Sequence, residues 1–292
     1  MKVFLLHLTS FFVGLLFLTL SIYQAFFLSY PHFYTSFAFG SWLVLDYLDY
    51  RLTKYSILGY FSQHKNRFII WLFLSVTTLF CFVVDYLWGI KVTGMWEWVH
   101  YEPIHFLRMY LIMNASFVLS MYELFRVIKY MLKKFEISED SIIHLKFHNG
   151  MKKKIYLYSL LLGFIFLIAP GYSLVFNTDF LLEYAMVMPF LSMILITDSI
   201  TFLTGGKSIT ENLLKFKKLD IYSLFLTSLL ASVFTELVNF YGGEWQYTKM
   251  PFGQIVVYDI PVAVFIGWIP LVVGSISIVN MAKHIGYLIS KR

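Results

Sequence analysis

Apolar residues fall into eight blocks separated by short polar stretches, at roughly 3–29, 33–50, 68–89, 104–128, 155–176, 181–204, 219–241 and 256–288. Each block is close to the ~20 apolar residues that cross a hydrocarbon core of ~30 Å at ~1.5 Å per residue. Lipid offers no hydrogen-bond partner, so a spanning segment must satisfy its own backbone, and helices do this. The pattern predicts an all-α fold: a polytopic membrane helical bundle of about eight transmembrane helices. The first block opens with Lys2 and an apolar run, as a signal peptide does. The run continues to Leu28 with no small-residue cleavage site, so it reads as a retained span.

Composition agrees. Of the 292 residues, 59% are hydrophobic and 14% charged, with a mean hydropathy of +0.71. A soluble domain carries about 25% charged residues. The net charge of +6 does not point to nucleic acid, because its distribution follows the loops. Arg51, Lys54, Lys65 and Arg67 occupy one loop, and Arg126, Lys129, Lys133, Lys134, Lys146 and Lys152 to Lys154 another. Lys207, Lys215, Lys217 and Lys218 occupy a third, and the tail adds Lys283, Lys291 and Arg292. The intervening loops carry Lys91 and Lys249 alone. This positive-inside alternation predicts an integral protein of the cytoplasmic membrane with both termini in the cytoplasm. The single cysteine, Cys81, lies within an apolar block and reads as a small buried hydrophobe.

The chain also resembles itself. Asp46 to Ile57 aligns with Asp198 to Ile209, and Asp85 with Glu236. Trp96-Glu97-Trp98 aligns with Trp245-Gln246-Tyr247, and Tyr101-Glu102-Pro103 with Tyr258-Asp259-Ile260-Pro261. Asp46 and Asp85 are 39 residues apart, Asp198 and Glu236 38. This predicts two parallel four-helix repeats, 1–132 and 155–292, joined by a polar cytoplasmic linker at 133–154. Parallel repeats pack about an axis along the membrane normal, with a site between them.

Ionisable residues inside spans are costly and need a reason. Asp46, Asp49 and Asp198 have two readings: pairing with Arg51, Lys54 or Lys207 at the interface, or a metal–diphosphate site. Asp85 and Glu236 lie near the far end of their spans. Each is followed by a glycine, Gly89 or Gly242, and about ten residues later by Trp-x-aromatic. A carboxyl walled by Phe and Trp can hold a proton and deliver it to a weak base; the alternative is that each accepts hydrogen bonds from the following loop. Glu102 and Asp259 precede Pro103 and Pro261, as acids and prolines do at helix starts, with catalysis the second reading. Aromatics form 20% of the chain, suited to interfacial belts and to stabilising cations. Among eight scattered histidines there is no His-x-x-His or His-Glu-x-x-His pair, which argues against a di-iron desaturase and a zincin. His105 follows Glu102 by three residues. No phosphate-binding loop, dinucleotide turn or Gly-x-Ser-x-Gly is present.

The stretch from Asp85 through Gly89, Trp96 and Trp98 to Glu102-Pro103-Ile104 resembles the repeat unit of the membrane-integral lycopene cyclases of the two-subunit or fused type. The stretch from Glu236 through Trp245 and Tyr247 to Ile260-Pro261 and Trp268 resembles the second unit. Pro251-Phe252-Gly253 is similar to a segment of the related carotenoid hydratase-type proteins. The likeness covers the last two spans of each half. In the cyclases two glutamates follow the loop proline and supply the proton. Here the matching residues are Pro103-Ile104-His105-Phe106 and Pro261-Val262-Ala263-Val264.

The resemblance implies proton-initiated cyclisation or hydration of a long isoprenoid polyene. Asp85 and Glu236, then Glu102 and Asp259, are the candidate catalytic residues, and Trp96, Trp98, Trp245, Tyr247 and His105 the candidate substrate contacts. No cofactor and no metal ligand are implied. The partners are a hydrophobic isoprenoid or lipid substrate and the membrane lipids, with no nucleic acid; a homo-oligomer is left open. Two other readings stand beside this one: a non-enzymatic carrier or lipid-binding protein using the repeat interface, and a Mg-dependent membrane prenyltransferase. A carrier would break matched helices of both halves. Ala169-Pro170-Gly171 predicts a break in the fifth span, with none in the first.

Overall fold

The computed structural model describes residues 2–30, 32–63, 67–99, 105, 108–138, 140, 149–176 and 188–291. Helix α1 is Lys2–Leu28, α2 is Tyr34–Thr53, and a short α3 is Ile57–Ser62. Helix α4, Arg67–Cys81, runs without a break into a π-helical segment, Phe82–Val92. Strand β1 is Trp96–Trp98. A second π-helical segment, Met109–Met113, leads into α5, Asn114–Lys134. Then follow α6 (Asn149–Phe176), α7 (Met188–Leu203), short α8 (Ile209–Leu214) and α9 (Lys218–Gly242). Strand β2 (Trp245–Tyr247) and a ribbon of β3 (Val256–Val257) and β4 (Ile260–Pro261) precede α10 (Val262–Ser290).

Among the described residues, six helical segments are long and apolar enough to cross a membrane: Leu5–Leu28, Arg67–Val92, Met109–Lys134, Gly150–Phe176, Lys218–Gly242 and Val262–Ser290. The protein is a helical membrane bundle. Of the other two apolar blocks, α7 has 16 residues, and α2 carries Asp46, Asp49 and Arg51 within its 20. Hydrophobicity here does not sort inside from outside. Phe12, Leu16 and Phe27 on α1, and Ile165, Ile168 and Val175 on α6, are largely exposed. In water such surfaces would aggregate; in lipid they face their own solvent. The core lies where α10 packs against both α5 and α7, around Val118, Leu119, Ile194, Val272, Ile276 and Val279.

Three expectations change. The last helix begins at Val262 rather than near 256, because β3 and β4 form an exposed hairpin there. Tyr258 and Asp259 both have positive φ at its turn, 49° and 61°, as two-residue hairpin turns require. The chain stays helical through Pro170, so the predicted break is absent. And Asp49 does not pair with Arg51 or Lys54. Arg126 of α5 reaches across to it, Nε to Oδ2 at 2.6 Å, and Arg126 Nη2 also donates to Thr53 Oγ1 at 3.1 Å.

The other matched acids are fastened locally. Asp46 accepts from Ser56 Oγ (2.8 Å) and Leu58 N (2.9 Å), while Ser56 caps α3 through Gly59 N. Asp198 accepts from Ser208 Oγ (2.5 Å) and Ile209 N (2.9 Å), while Ser208 caps α8 through Glu211 N. Each acid thus ties a long helix to the short one ten residues on and satisfies free N–H groups at its start. Lys207 plays no part in this, contrary to the interface-pairing reading.

Asp49 is fully buried, so removing its partner strands a charge. Arg126→Met is expected to cost about 3 kcal/mol, seen as a lowered Tm in detergent. Arg51→Met, at an exposed position, is expected to stay within about 0.5 kcal/mol of wild type.

Candidate active site beneath an aromatic ribbon

The two Trp-x-aromatic segments are strands. β1 and β2 pair antiparallel, with Trp96 opposite Tyr247, Glu97 opposite Gln246 and Trp98 opposite Trp245. Val99 N donates to Glu244 O at 2.9 Å and Thr248 N to Met95 O at 2.8 Å, lengthening the ribbon at both ends. Successive strand side chains point to opposite faces. The four aromatics therefore share one face, and Glu97 and Gln246, bonded to each other, share the other. The aromatic face roofs a cavity of about 180 Å³, lined below by Phe117, Phe190, Met193 and Trp268 among others.

The ribbon is anchored on both sides. At the end of α9, Gly243 takes the left-handed conformation (φ 63°) and donates to Asn239 O at 2.7 Å. Asn239 Oδ1 accepts from Glu244 N and Trp245 N, and its Nδ2 donates to Trp245 O. Buried Glu244 accepts from Tyr34 N at 2.6 Å, fastening the turn to the start of α2. At the end of the α4 span, the Trp96 ring lies across Gly89. A Cβ there would sit 2.0 Å from the indole.

Both predicted carboxyls line this one cavity, each in a cage of donors. Asp85 Oδ1 accepts from Trp96 Nε1 at 2.7 Å, and Trp98 Nε1 lies 3.1 and 3.0 Å from Oδ1 and Oδ2. Tyr110 OH donates to Oδ2 at 2.8 Å. Glu236 Oε1 accepts from Tyr247 OH at 2.8 Å and from Trp268 Nε1 at 3.2 Å. Trp245 Nε1 donates to Tyr247 OH at 3.0 Å. The cages meet where the Trp98 and Trp245 rings lie 5.3 Å apart. Two buried polar atoms of the lining have no hydrogen-bond partner among the described residues: Glu236 Oε2 and Asn114 Nδ2. Burial, reinforced by Glu236, pushes the Tyr247 phenol well above its usual range, so it remains a donor.

Asp85 and Tyr110 sit on the two π-helical segments. The wider turn re-aims side chains, and such segments recur at functional sites.

The structure thus gathers Asp85, Glu236, Trp96, Trp98, Trp245 and Tyr247. It does not gather the rest. Asp259 is exposed on the β3–β4 turn, away from the cavity and not at the helix start. The His105 ring lies tilted beside that of His32, ring centres 4.3 Å apart, and His105 does not line the cavity. Glu102 lies outside the described residues. Tyr110 and Trp268 were not among the predicted residues, although the chain marks them. Each falls seven residues after the matched proline, Pro103 or Pro261, and each donates to the matched acid. Among the described residues no three His, Cys, Asp or Glu side chains gather to hold a metal ion. No protein-family profile, curated protein or solved structure matches this chain.

Gly89→Ala is expected to destabilise by about 1–3 kcal/mol through overpacking, and the cost should shrink when combined with Trp96→Leu in a double-mutant cycle. Gly171→Ala, where nothing lies within 4 Å, is the control expected to leave Tm unchanged or raised.

Proposed function

We propose that the protein is a membrane-embedded enzyme that protonates one end of a long isoprenoid polyene and releases a cyclised or hydrated product without a cofactor. The observation that carries this reading is the pair of caged carboxyls facing one aromatic cavity, one of them with an oxygen left unpaired. Glu236 is the acid. Its Oε2 has no hydrogen-bond partner among the described residues, so a proton held there points at bound substrate. Addition of that proton to a terminal double bond leaves a tertiary carbocation. Asp85 is the counter-charge, since both of its oxygens already accept hydrogen bonds from Trp96, Trp98 and Tyr110. The tryptophan and tyrosine rings stabilise the cation. Capture by a second double bond forms the ring C–C bond, and capture by water forms a C–O bond; in either case a proton returns to a carboxylate.

At about 180 Å³ the cavity is smaller than the roughly 300–1,000 Å³ of pockets that enclose a drug-sized ligand. It suits one end group, with the remaining polyene lying in the bilayer. The arrangement fits two parallel four-helix repeats, eight spans in all, with one acid from each. The likeness to the membrane-integral lycopene cyclases supports the substrate class. Asp85 and Glu236 then do the work of the glutamates that the family carries after its loop prolines.

The test is expression in lycopene-accumulating cells, with pigments resolved by chromatography and mass. Wild type is expected to give a product of unchanged mass or of mass raised by one water. Glu236→Gln should lower its yield about 10²–10⁴-fold, the usual contribution of a general acid, and Asp85→Asn should lower it too. Asp259→Asn should have no effect. Untouched lycopene with folded wild-type protein would remove carotenoids as the substrate.

A further inference from the structure

A second cavity, about 360 Å³, lies at the opposite end of α9. Asp220 lines it and Glu236 lines the first, and along the helix the two acids are about 24 Å apart. Its character is the reverse of the aromatic cavity. Lys129, Lys207, Lys217 and Asn212 line it, with the acids Glu211 and Asp220.

Both acids are already matched. Asp220 accepts from Lys129 Nζ. Glu211 Oε1 accepts from Lys152 Nζ at 2.7 Å and Lys215 Nζ at 2.9 Å, and these lysines, Lys152 foremost, hold its carboxyl below the usual range. The ammonium groups of Lys207 and Lys217 have no ion pair among the described residues. Lys217 is also the N-cap residue of α9, a 25-residue helix, and forms no side-chain cap there. The positive end of the helix dipole therefore adds to the lysines. Beside this cationic opening, Leu214, Phe216, Tyr222 and Phe225 are all exposed. A positive pocket above an apolar skirt is the surface that a phosphate headgroup and its acyl chains would meet together. Basic pockets between spanning helices bind anionic headgroups in this way.

We propose that this cavity binds the phosphate of an anionic membrane lipid. Lysines suit that ligand as point charges around phosphate oxygens, and the apolar skirt favours a lipid over a free anion. The site is independent of the aromatic cavity and of the reaction assigned to it.

The test uses the full chain in nanodiscs of phosphatidylcholine with phosphatidylglycerol, reading the lipid retained on the purified protein by mass spectrometry. A parallel titration uses inorganic phosphate alone. The variant is Lys207→Gln/Lys217→Gln, chosen because neither ammonium group makes a hydrogen bond or ion pair among the described residues. Lys153→Gln/Lys154→Gln removes the same charge away from the cavity. Wild type and the control are expected to enrich phosphatidylglycerol about thirtyfold over the variant, from the usual contribution of two lysines at a lipid surface, at equal Tm. Equal enrichment by the cavity variant, or equal loss in the control, would overturn the site. Binding of inorganic phosphate by wild type without lipid enrichment would overturn the lipid as ligand in favour of a soluble phosphate.

Discussion

A carboxyl group inside a membrane bundle has to be given its hydrogen bonds by the protein, because the surrounding hydrocarbon has none to give. Much of the architecture around Asp85 follows from that need. The indole N–H can donate and never accept, so tryptophan is a one-way partner for a carboxylate. Two indoles separated by one residue reach the same acid when the segment is a strand, since a strand repeats its direction every second residue. A lone strand would leave its own backbone unpaired, so β1 needs β2. Gly89 has no side chain because Trp96 must cross the helix to reach its acceptor. The ribbon, its register and the glycine beneath it answer one electrostatic demand.

The same accounting separates scaffold from chemistry. At the lysine-rich end, Asp46 and Asp198 are saturated by serines and helix-start amides, and Asp49 and Asp220 by Arg126 and Lys129. Those acids hold helices in place. Glu123, fully buried beside them, keeps Oε2 without a hydrogen bond, but it lines neither cavity. Glu236 combines an open oxygen with a space beside it. Burial alone does not bring a ligand within reach of an unpaired polar atom.

What the sequence disclosed, and what it hid, follows from how far each interaction reaches along the chain. The spans are legible because apolar runs of membrane length are local. Asp85 and Glu236 stand out because an acid in such a run violates the pattern, and the aromatics ten residues on are near neighbours. What stays hidden for Trp96, Trp98 and Trp245 is the strand pairing that gathers them, because the strand partner of residue 96 is residue 247. The Arg126–Asp49 pair was missed for the same reason: Arg51 and Lys54 are closer in sequence but sit on the exposed side of α2. The π-helical turns carry no local signature in Phe82–Val92 or Met109–Met113. Asp259 misled because an acid two residues before a proline looks the same in a hairpin turn as at a helix start.

The two cages are alike in plan and unequal in donors, and one substitution between matched positions accounts for most of the difference. Trp98 spends its single N–H directly on Asp85. Its counterpart is Tyr247, whose hydroxyl both accepts and donates. Tyr247 takes the N–H of Trp245 and passes its own proton to Glu236. The one indole of that strand thus ends on a tyrosine instead of on the acid. With Trp268 as the other donor, both bonds fall on Oε1 and Oε2 is left open. The unpaired oxygen is therefore a consequence of a tyrosine in place of a tryptophan, and through it the two caged carboxyls differ in what they leave open to the cavity.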